Sequence, residues 1–539
     1  MRANAPAREA GVLFSESDTG MPGQKAFYVT TPIYYVNDVP HIGHAYTTLA
    51  CDVLARFKRL DGYDVMFLTG TDEHGQKVEK AAAAAGVTPQ EFTDRVSQNF
   101  RDLCEHMNYS NNAFIRTTEP RHAQACQDLW KKLEESGNIY LGSYSGWYAV
   151  RDEAFYGEDE LTPGPNGKKI APTGAEVEWV EEPSYFFKLS AWAEPLLEFY
   201  ESHPDFIAPQ ARRNEVVSFV KGGLHDLSIS RTTFDWGVSV PGDEKHVMYV
   251  WLDALTNYMT AVGYPDTGAD AYKRYWPADL HMIGKDILRF HAVYWPAFLL
   301  AAGLETPKRI FAHGWWTVEG QKMSKSLGNV VAPDHLVSTY GLDASRYFLL
   351  REVPFGNDGD FSHKAIVHRT NGDLANDLGN LAQRSLSMIA KNCGGAVPEH
   401  GEFTEADKVL LGSAHGLLDR VRAEFDAQMF HKGLEAIWSV CGDANRYIDE
   451  QAPWTLKKTD PARMATVLYV LAETIRHIAI LVQPVVPASA AKMLDQLALG
   501  EDARGFETLG PDHALTPGTP LPAPQGVFPR FMEPEAATS

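Results

Sequence analysis

Ala26-Phe27-Tyr28-Val29-Thr30-Thr31 is a run rich in aromatic and β-branched residues, and it reads as a buried strand. A turn-rich stretch follows, then His41-Ile42-Gly43-His44. From Gly43 the apolar positions Ala45, Leu49, Val53, Leu54 and Phe57 recur at helical spacing, and Gly62 ends the pattern. A second strand, Val65 to Thr69, leads into Gly70-Thr71-Asp72-Glu73-His74-Gly75. Two helices are predicted over 76–85 and 89–107, a strand from Ala113 to Thr118, and a long helix over 119–136. Strands alternating with helices predict an α/β fold, a Rossmann-type doubly wound parallel sheet covered on both faces.

Near 138 the pattern changes. Residues 139–190 carry Tyr140, Tyr144, Trp147, Tyr148, Phe155 and Tyr156 with turn formers at 163–167, which predicts a small β-rich connective insertion splitting the sheet. Alternation resumes with a strand at Leu280 to Ile283, a helix from Asp286 to Ala302 and a strand at Arg309 to Ala312. From 368 to about 498 the pattern is helical. These shifts divide the chain into a lead (1–21), the first half of the sheet domain (22–137), the insertion (138–216), the second half (217–312), a following region with a cationic loop (313–367), a helical domain (368–500) and an irregular tail (501–539).

The bulk properties agree with such a multidomain chain. Of its 539 residues 44% are hydrophobic and 22% charged, as in ordinary globular proteins. No run of about 18 apolar residues is seen, so no membrane span is expected. The lead contains Arg2, Arg8, Glu9, Glu16 and Asp18 without an apolar core, which is not a secretory signal; it reads as disordered, with Met21 as a candidate second start. Five cysteines at 51, 104, 126, 393 and 441 form no Cys-x-x-Cys pair, so neither a disulfide framework nor a cysteine zinc site is supported, and a reducing cytoplasm fits. The net charge of −21 argues against nucleic-acid binding over the whole surface and leaves room for a local basic patch.

Two segments carry chemistry. His41 and His44, three apart at a helix start, share one face where unpaired N–H groups and partial positive charge suit phosphate. Gly43 between them lets a flat base or sugar approach the backbone. Surface histidines near a cap satisfy the same spacing, so this tetrapeptide alone does not decide. Lys322-Met323-Ser324-Lys325-Ser326-Leu327-Gly328-Asn329 is a cationic loop with hydroxyls, suited to closing on a triphosphate and stabilising departing pyrophosphate.

Together the two segments resemble the signature of the class I aminoacyl-tRNA synthetases. Thr31-Pro32-Ile33-Tyr34-Tyr35-Val36-Asn37, Gly70-Thr71-Asp72-Glu73-His74-Gly75, Tyr249-Val250-Trp251-Leu252-Asp253-Ala254, Ile283-Gly284-Lys285-Asp286 and Gln451-Ala452-Pro453-Trp454 resemble the methionyl branch, and the likeness spans nearly the whole chain. The resemblance implies a methionine–tRNA ligase that uses ATP with Mg2+, forms methionyl-adenylate and transfers methionine to the terminal adenosine of tRNA(Met). It implies phosphate chemistry by His41, His44, Lys322 and Lys325, and nucleotide binding by Gly43, Gly284, Asp286 and the same lysines. It implies an L-methionine pocket of Ile33, Tyr35, Asp72, Trp251, Ala254, Leu255, Tyr258, Phe290, His291 and Trp295, with Asp72 holding the ammonium group. Leu255 stands where relatives often have proline. A rim arginine matches Arg231, and in the helical domain Asn380, Arg384 and Trp454 match residues that read the anticodon.

Relatives commonly carry zinc knuckles in the insertion. Here those places read Ala149-Val150-Arg151-Asp152 and Ala171-Pro172, so no structural zinc is expected, and Tyr144 and Trp147 are expected to hold the insertion together. The dimerising C-terminal domain of some relatives has no counterpart, so a monomer is expected. A leucine, isoleucine or valine enzyme would need a large editing insertion, for which 138–216 leaves no room. A small-molecule adenylyltransferase would need neither the lysine loop nor the helical domain. A non-catalytic tRNA-binding relative would not need both intact signatures.

Overall fold

The computed structural model of the chain describes residues 23–36, 39–151, 154–323 and 328–533. The expected lead at 1–21 lies outside them.

Seven strands form the main sheet, and every pairing is parallel. Across the sheet the order is Ile207–Ala208, Ile310–His313, Leu280–Gly284, Ala26–Thr30 and Asp64–Asp72. Asp64–Asp72 also pairs with Ala113–Arg116, and at Thr71 and Asp72 with the two-residue strand Tyr34–Tyr35. From Ala26–Thr30 the chain crosses outward to Asp64–Asp72; from Leu280–Gly284 it crosses the other way to Ile310–His313. Right-handed crossovers in opposite directions put the connecting helices on opposite faces. A crevice must then open between the two central strands, where Thr30 lies beside His281.

The side chains sort between these faces with the two-residue period of strands. Val29, Phe67, Leu280, Met282 and Phe311 join one core with the helix Ile42–Leu60. Tyr28, Met66, Leu68, Ile283, Ile310 and Ala312 join a second core with the helices Pro120–Glu135 and Trp295–Ala301.

The insertion is built on two long antiparallel strands, Ile139–Ala149 and Glu176–Phe187. Ala149, Ala171, Ala175 and Val177 are buried together at its end, flanked by Trp147, Tyr156 and Leu161. Trp147 packs edge-on against Trp179, ring centres 5.3 Å apart. The side chain of Tyr144 lies outside the described residues. The expected boundary at 216 is corrected by Ile207–Ala208, which pairs with Ile310 and Phe311 and so belongs to the main sheet. A two-residue strand is too short for alternation to reveal it.

The helical domain packs around Pro461–Val482. The most apolar window of that helix has a mean hydropathy of 1.6, and the helix is long and apolar enough to cross a membrane, where the sequence reading expected no span; 94% of that window is buried inside the protein. Its Glu473 and Arg476 pair with each other, Glu473 accepts from the Leu515 N–H, and Gly510 N–H donates to His477. These bonds dock the tail, which is irregular in form yet buries Phe506, Leu515 and Val527.

Helix Ile42–Leu60 is gripped from the far side. Phe57 packs on Phe425 and Phe506, and Lys58 meets Asp426 at 2.6 Å. Arg346, fully buried, donates to Asp52 on this helix and to the carbonyls of Met107, Pro484 and Val485. The helix that begins at the histidine motif is thereby fixed between the sheet and the helical domain.

Candidate active site

A cavity of about 890 Å³ opens at the C-terminal ends of the central strands, the place the sheet order dictates. His41 is the N-cap of helix Ile42–Leu60, and its Nδ1 accepts the Gly43 N–H at 3.0 Å. His44 Nδ1 accepts the His41 N–H at 3.1 Å, completing a capping box made of two imidazoles. A nitrogen that accepts a backbone N–H carries no proton, so the hydrogen-bond network assigns the proton of each neutral ring to Nε2, a donor for phosphate oxygen. Burial first, then the neighbouring His41, holds His44 well below the ordinary histidine range. The ring is therefore neutral at pH 7. A Cβ on Gly43 would lie 2.9 Å from the His41 ring, so only glycine leaves that face open.

The loop carrying Asp72 is locked residue by residue. A Cβ on Gly70 would come within 2.1 Å of the Ile115 carbonyl oxygen, so glycine is required there. Glu73 is fully buried; Arg116 donates to both its oxygens and Thr118 to one. His74 meets the buried carboxylate of Asp253 at 2.6 Å. Gly75 N–H donates to Trp236 O. Asp72, between these anchors, lines the cavity and is 6% exposed.

Ile33, Tyr35, Trp251, Ala254, Leu255, Tyr258 and His291 also line the cavity. Leu255 is a buried wall residue in the place the sequence left open. His291 Nδ1 lies 3.0 Å from the Ile287 carbonyl and must donate there, so Nε2 accepts from the Tyr258 hydroxyl at 2.7 Å. Burial lowers His291 to about 4, which keeps the acceptor neutral. Two expected pocket residues stand a layer behind. Phe290 stacks on Trp251 with ring centres 3.5 Å apart, and Trp295, fully buried, backs Tyr258. They shape the wall by fixing the aromatic rings that line it. Helical spacing placed them near the pocket without distinguishing the lining face from the one beneath. Ile287, which the sequence reading missed, does line the cavity.

Gly284 and Asp286 line the cavity too. Trp315 Nε1–H donates to Asp286 Oδ1 at 3.0 Å, and Lys285 sits over the Trp315 ring while pairing with Asp358. Trp315 gave no signal beyond being aromatic at a strand end. The strand Gln321–Lys322 pairs with Trp316–Val318, and Met323 lines the cavity, so the cationic loop leaves from its edge. The Lys322 side chain and Lys325 lie outside the described residues. Arg231 is not at the cavity: it is buried under Tyr249, 3.8 Å from the ring centre, with Glu182 at 3.5 Å.

In the helical domain the Arg384 guanidinium lies 5.5 Å from the Trp454 ring centre and pairs with Asp449. Asn380, exposed, sits one turn earlier on the same helix, Asn380–Asn392, and so on the same face. The three residues expected to act together are brought to one surface.

Comparison with known proteins follows these outlines. A family model described as "tRNA synthetases class I (M)" matches residues 27–386, and one described as "Anticodon binding domain of methionyl tRNA ligase" matches 397–538. The methionine–tRNA ligase of Mesorhizobium japonicum is 60% identical over 516 residues, 96% of this chain and 100% of that protein. That of Brucella suis is 59% identical over 510 residues, 95% of this chain and 99% of that protein. The Mycobacterium tuberculosis methionyl-tRNA synthetase in complex with methionyl-adenylate, 58% identical, matches with a TM-score of 0.92 over 94% of this chain and 100% of that one. The apo form from the same organism, 55% identical, matches at 0.87 over 95% and 99%.

Proposed function

This chain belongs to the methionyl-tRNA synthetases of class I, ATP-dependent ligases that join methionine to tRNA, and from that premise we propose how its residues divide the reaction. Asp72 holds the methionine ammonium group. The thioether lies among Trp251, Tyr258 and His291, since aromatic rings hold polarizable sulfur favourably. The methionine carboxylate then attacks the α-phosphorus of ATP in line, and the bond to pyrophosphate breaks. A carboxylate is already a nucleophile, so positioning and charge stabilisation carry the step. His41 and His44 donate from Nε2 to phosphate, Lys322 and Lys325 meet the pyrophosphate, and Asp286 accepts the ribose hydroxyls with Gly43 and Gly284 alongside. In the second step a hydroxyl of the terminal adenosine of tRNA(Met) attacks the adenylate carbonyl and AMP leaves.

The observation that carries this reading is the paired imidazole cap, with both Nδ1 atoms accepting backbone N–H groups, in a cavity that also holds Asp72. Methionine-dependent ATP–pyrophosphate exchange tests it. Exchange driven by another amino acid and not by methionine would sink it.

Magnesium enters with ATP on its phosphate oxygens, as the ion prefers hard oxygen ligands and retains waters. Among the described residues Asp72 and Asp286 are the carboxylates that line the cavity, and both have other work, so we assign no dedicated protein site; magnesium titration of exchange that tracks ATP is the check. For the insertion we propose an apolar replacement of zinc: Ala149, Ala171, Ala175 and Val177 pack together where thiols would stand. Among the described residues the two clusters of metal-ligating type, His122–Cys126–Asp253 and His415–Glu473–His477, lie elsewhere. Elemental analysis of the purified protein should find less than stoichiometric zinc.

Asn380, Arg384 and Trp454 are proposed to read the anticodon, where unstacked bases meet aromatic rings and base-edge hydrogen bonds. Stacking on an aromatic ring contributes about 1–3 kcal/mol per base. Trp454→Ala should therefore lower kcat/KM for tRNA charging by roughly 5- to 150-fold and leave exchange nearly intact. Loss of both activities would make Trp454 structural. We propose that the enzyme works as a monomer, to be checked by sedimentation. The free cysteines support a cytoplasmic location, to be checked by cell fractionation.

A further inference from the structure

Asp253 is the second residue after Trp251 on the pocket helix Val250–Thr260, and it is fully buried on the side away from the cavity. Both its oxygens are taken by imidazoles from other elements. Oδ2 meets His74 Nδ1 at 2.6 Å, and Oδ1 meets His122 Nε2 at 2.7 Å. A carboxylate only accepts, so both histidine nitrogens donate. The other nitrogen of His122 lies 3.1 Å from Thr260 Oγ1, at the far end of the same helix. His122 thus grips the pocket helix at its start and its end, with Tyr258 between. His74 is two residues from Asp72, and its ring is steadied edge-on by Trp236, whose Nε1 donates to the Glu73 carbonyl.

We propose that the His74–Asp253–His122 bridge is a positioning device for amino-acid recognition: it fixes the distance between the carboxylate that holds the substrate ammonium, Asp72, and the wall that holds its side chain, Trp251 and Tyr258. The inference rests on the methionine reading of the cavity. The bridge touches no substrate. Burial raises the Asp253 carboxyl, but the electrostatic interaction with His74 and the hydrogen bonds from both imidazoles outweigh it and hold the group below the usual carboxylate range. The link is therefore a charge-assisted one at neutral pH, short and stiff. The proposed division of the cavity assigns both ends of that span to methionine and neither to ATP, so loss of the bridge should act on methionine selectively.

The test is ATP–pyrophosphate exchange by the full-length chain with methionine and ATP titrated separately; wild-type exchange with methionine separates failure of this proposal from failure of the functional reading. His74→Ala should raise the methionine KM by about tenfold or more, the scale expected when a reacting group is displaced by a fraction of an ångström, and leave the ATP KM within about twofold. His74→Asn places an amide nitrogen where the imidazole Nδ1 stood and restores the donor to Asp253, so it should recover most of the methionine KM. Equal losses toward both substrates, an unchanged methionine KM in folded His74→Ala, or no recovery in His74→Asn would each overturn the proposal. Should His74→Ala not fold, Asp253→Asn carries the same expectation: it keeps the side-chain shape and removes the charge that both imidazoles meet. A fall in melting temperature with both KM values unchanged would then reduce the bridge to a structural element.

Discussion

Replacing Asp72 by asparagine is expected to lower kcat/KM for methionine by roughly 30- to 5,000-fold, because truncating one partner of a buried charge pair costs about 2–5 kcal/mol. Asp72 is 6% exposed in a cavity walled by aromatic and aliphatic side chains, so little water remains to replace the lost charge. Asparagine is nearly isosteric, and the loop's own anchors run through Gly70, Glu73, His74 and Gly75. The fold should therefore persist and the ATP KM should move little. Exchange kinetics with methionine varied at saturating ATP give the measurement. An unchanged methionine KM would remove Asp72 from the ammonium site.

The second large effect is expected at the histidine pair. His41→Asn should cut the rate of activation by about 10²-fold or more, the usual cost of removing a donor aimed at developing charge. Asparagine is among the best N-cap residues, so its side-chain oxygen can still accept the Gly43 N–H and helix Ile42–Leu60 should still begin where it does. What it lacks is the Nε2–H. His44→Ala removes the second donor and should have an effect of the same order, with methionine KM little changed in both variants. The pH dependence follows with its sign. The capping bonds leave Nε2 protonated in the neutral ring, and His44 is held below the ordinary range. Acidification from pH 8 to 6 therefore adds no donor at His44, and through this residue the exchange rate should not rise as pH falls. Full activity in His41→Asn, with an unchanged melting temperature, would reduce the motif to a helix cap.

Much of this arrangement is legible along the chain. The strand–loop–helix around Ala26–Thr30 and His41–His44 announces itself through local chemistry, because caps, periodicity and glycine placement act over a few residues. The same holds for Gly70, where the sequence shows a glycine in a motif and the structure supplies its cause, the Ile115 carbonyl at 2.1 Å from any Cβ. Helical spacing brought Phe290 and Trp295 to the pocket but could not say that they support the lining rings instead of forming the surface. Trp315 escaped notice because its role depends on Asp286, twenty-nine residues away across a strand end.

By itself the sequence determined the order of elements, the alternating parallel architecture, the phosphate-binding helix start and the family resemblance, all of which are written in short windows. Only the tertiary structure decided which groups meet. Asp253 bonds His74 and His122 across 179 and 131 residues, Arg346 reaches Asp52 across 294, and the tail docks on Glu473 and His477. Such meetings are set by strand order, crossover direction and the rotation of each helix about its axis. Periodicity says that a face is buried; it carries no information about the partner buried against it.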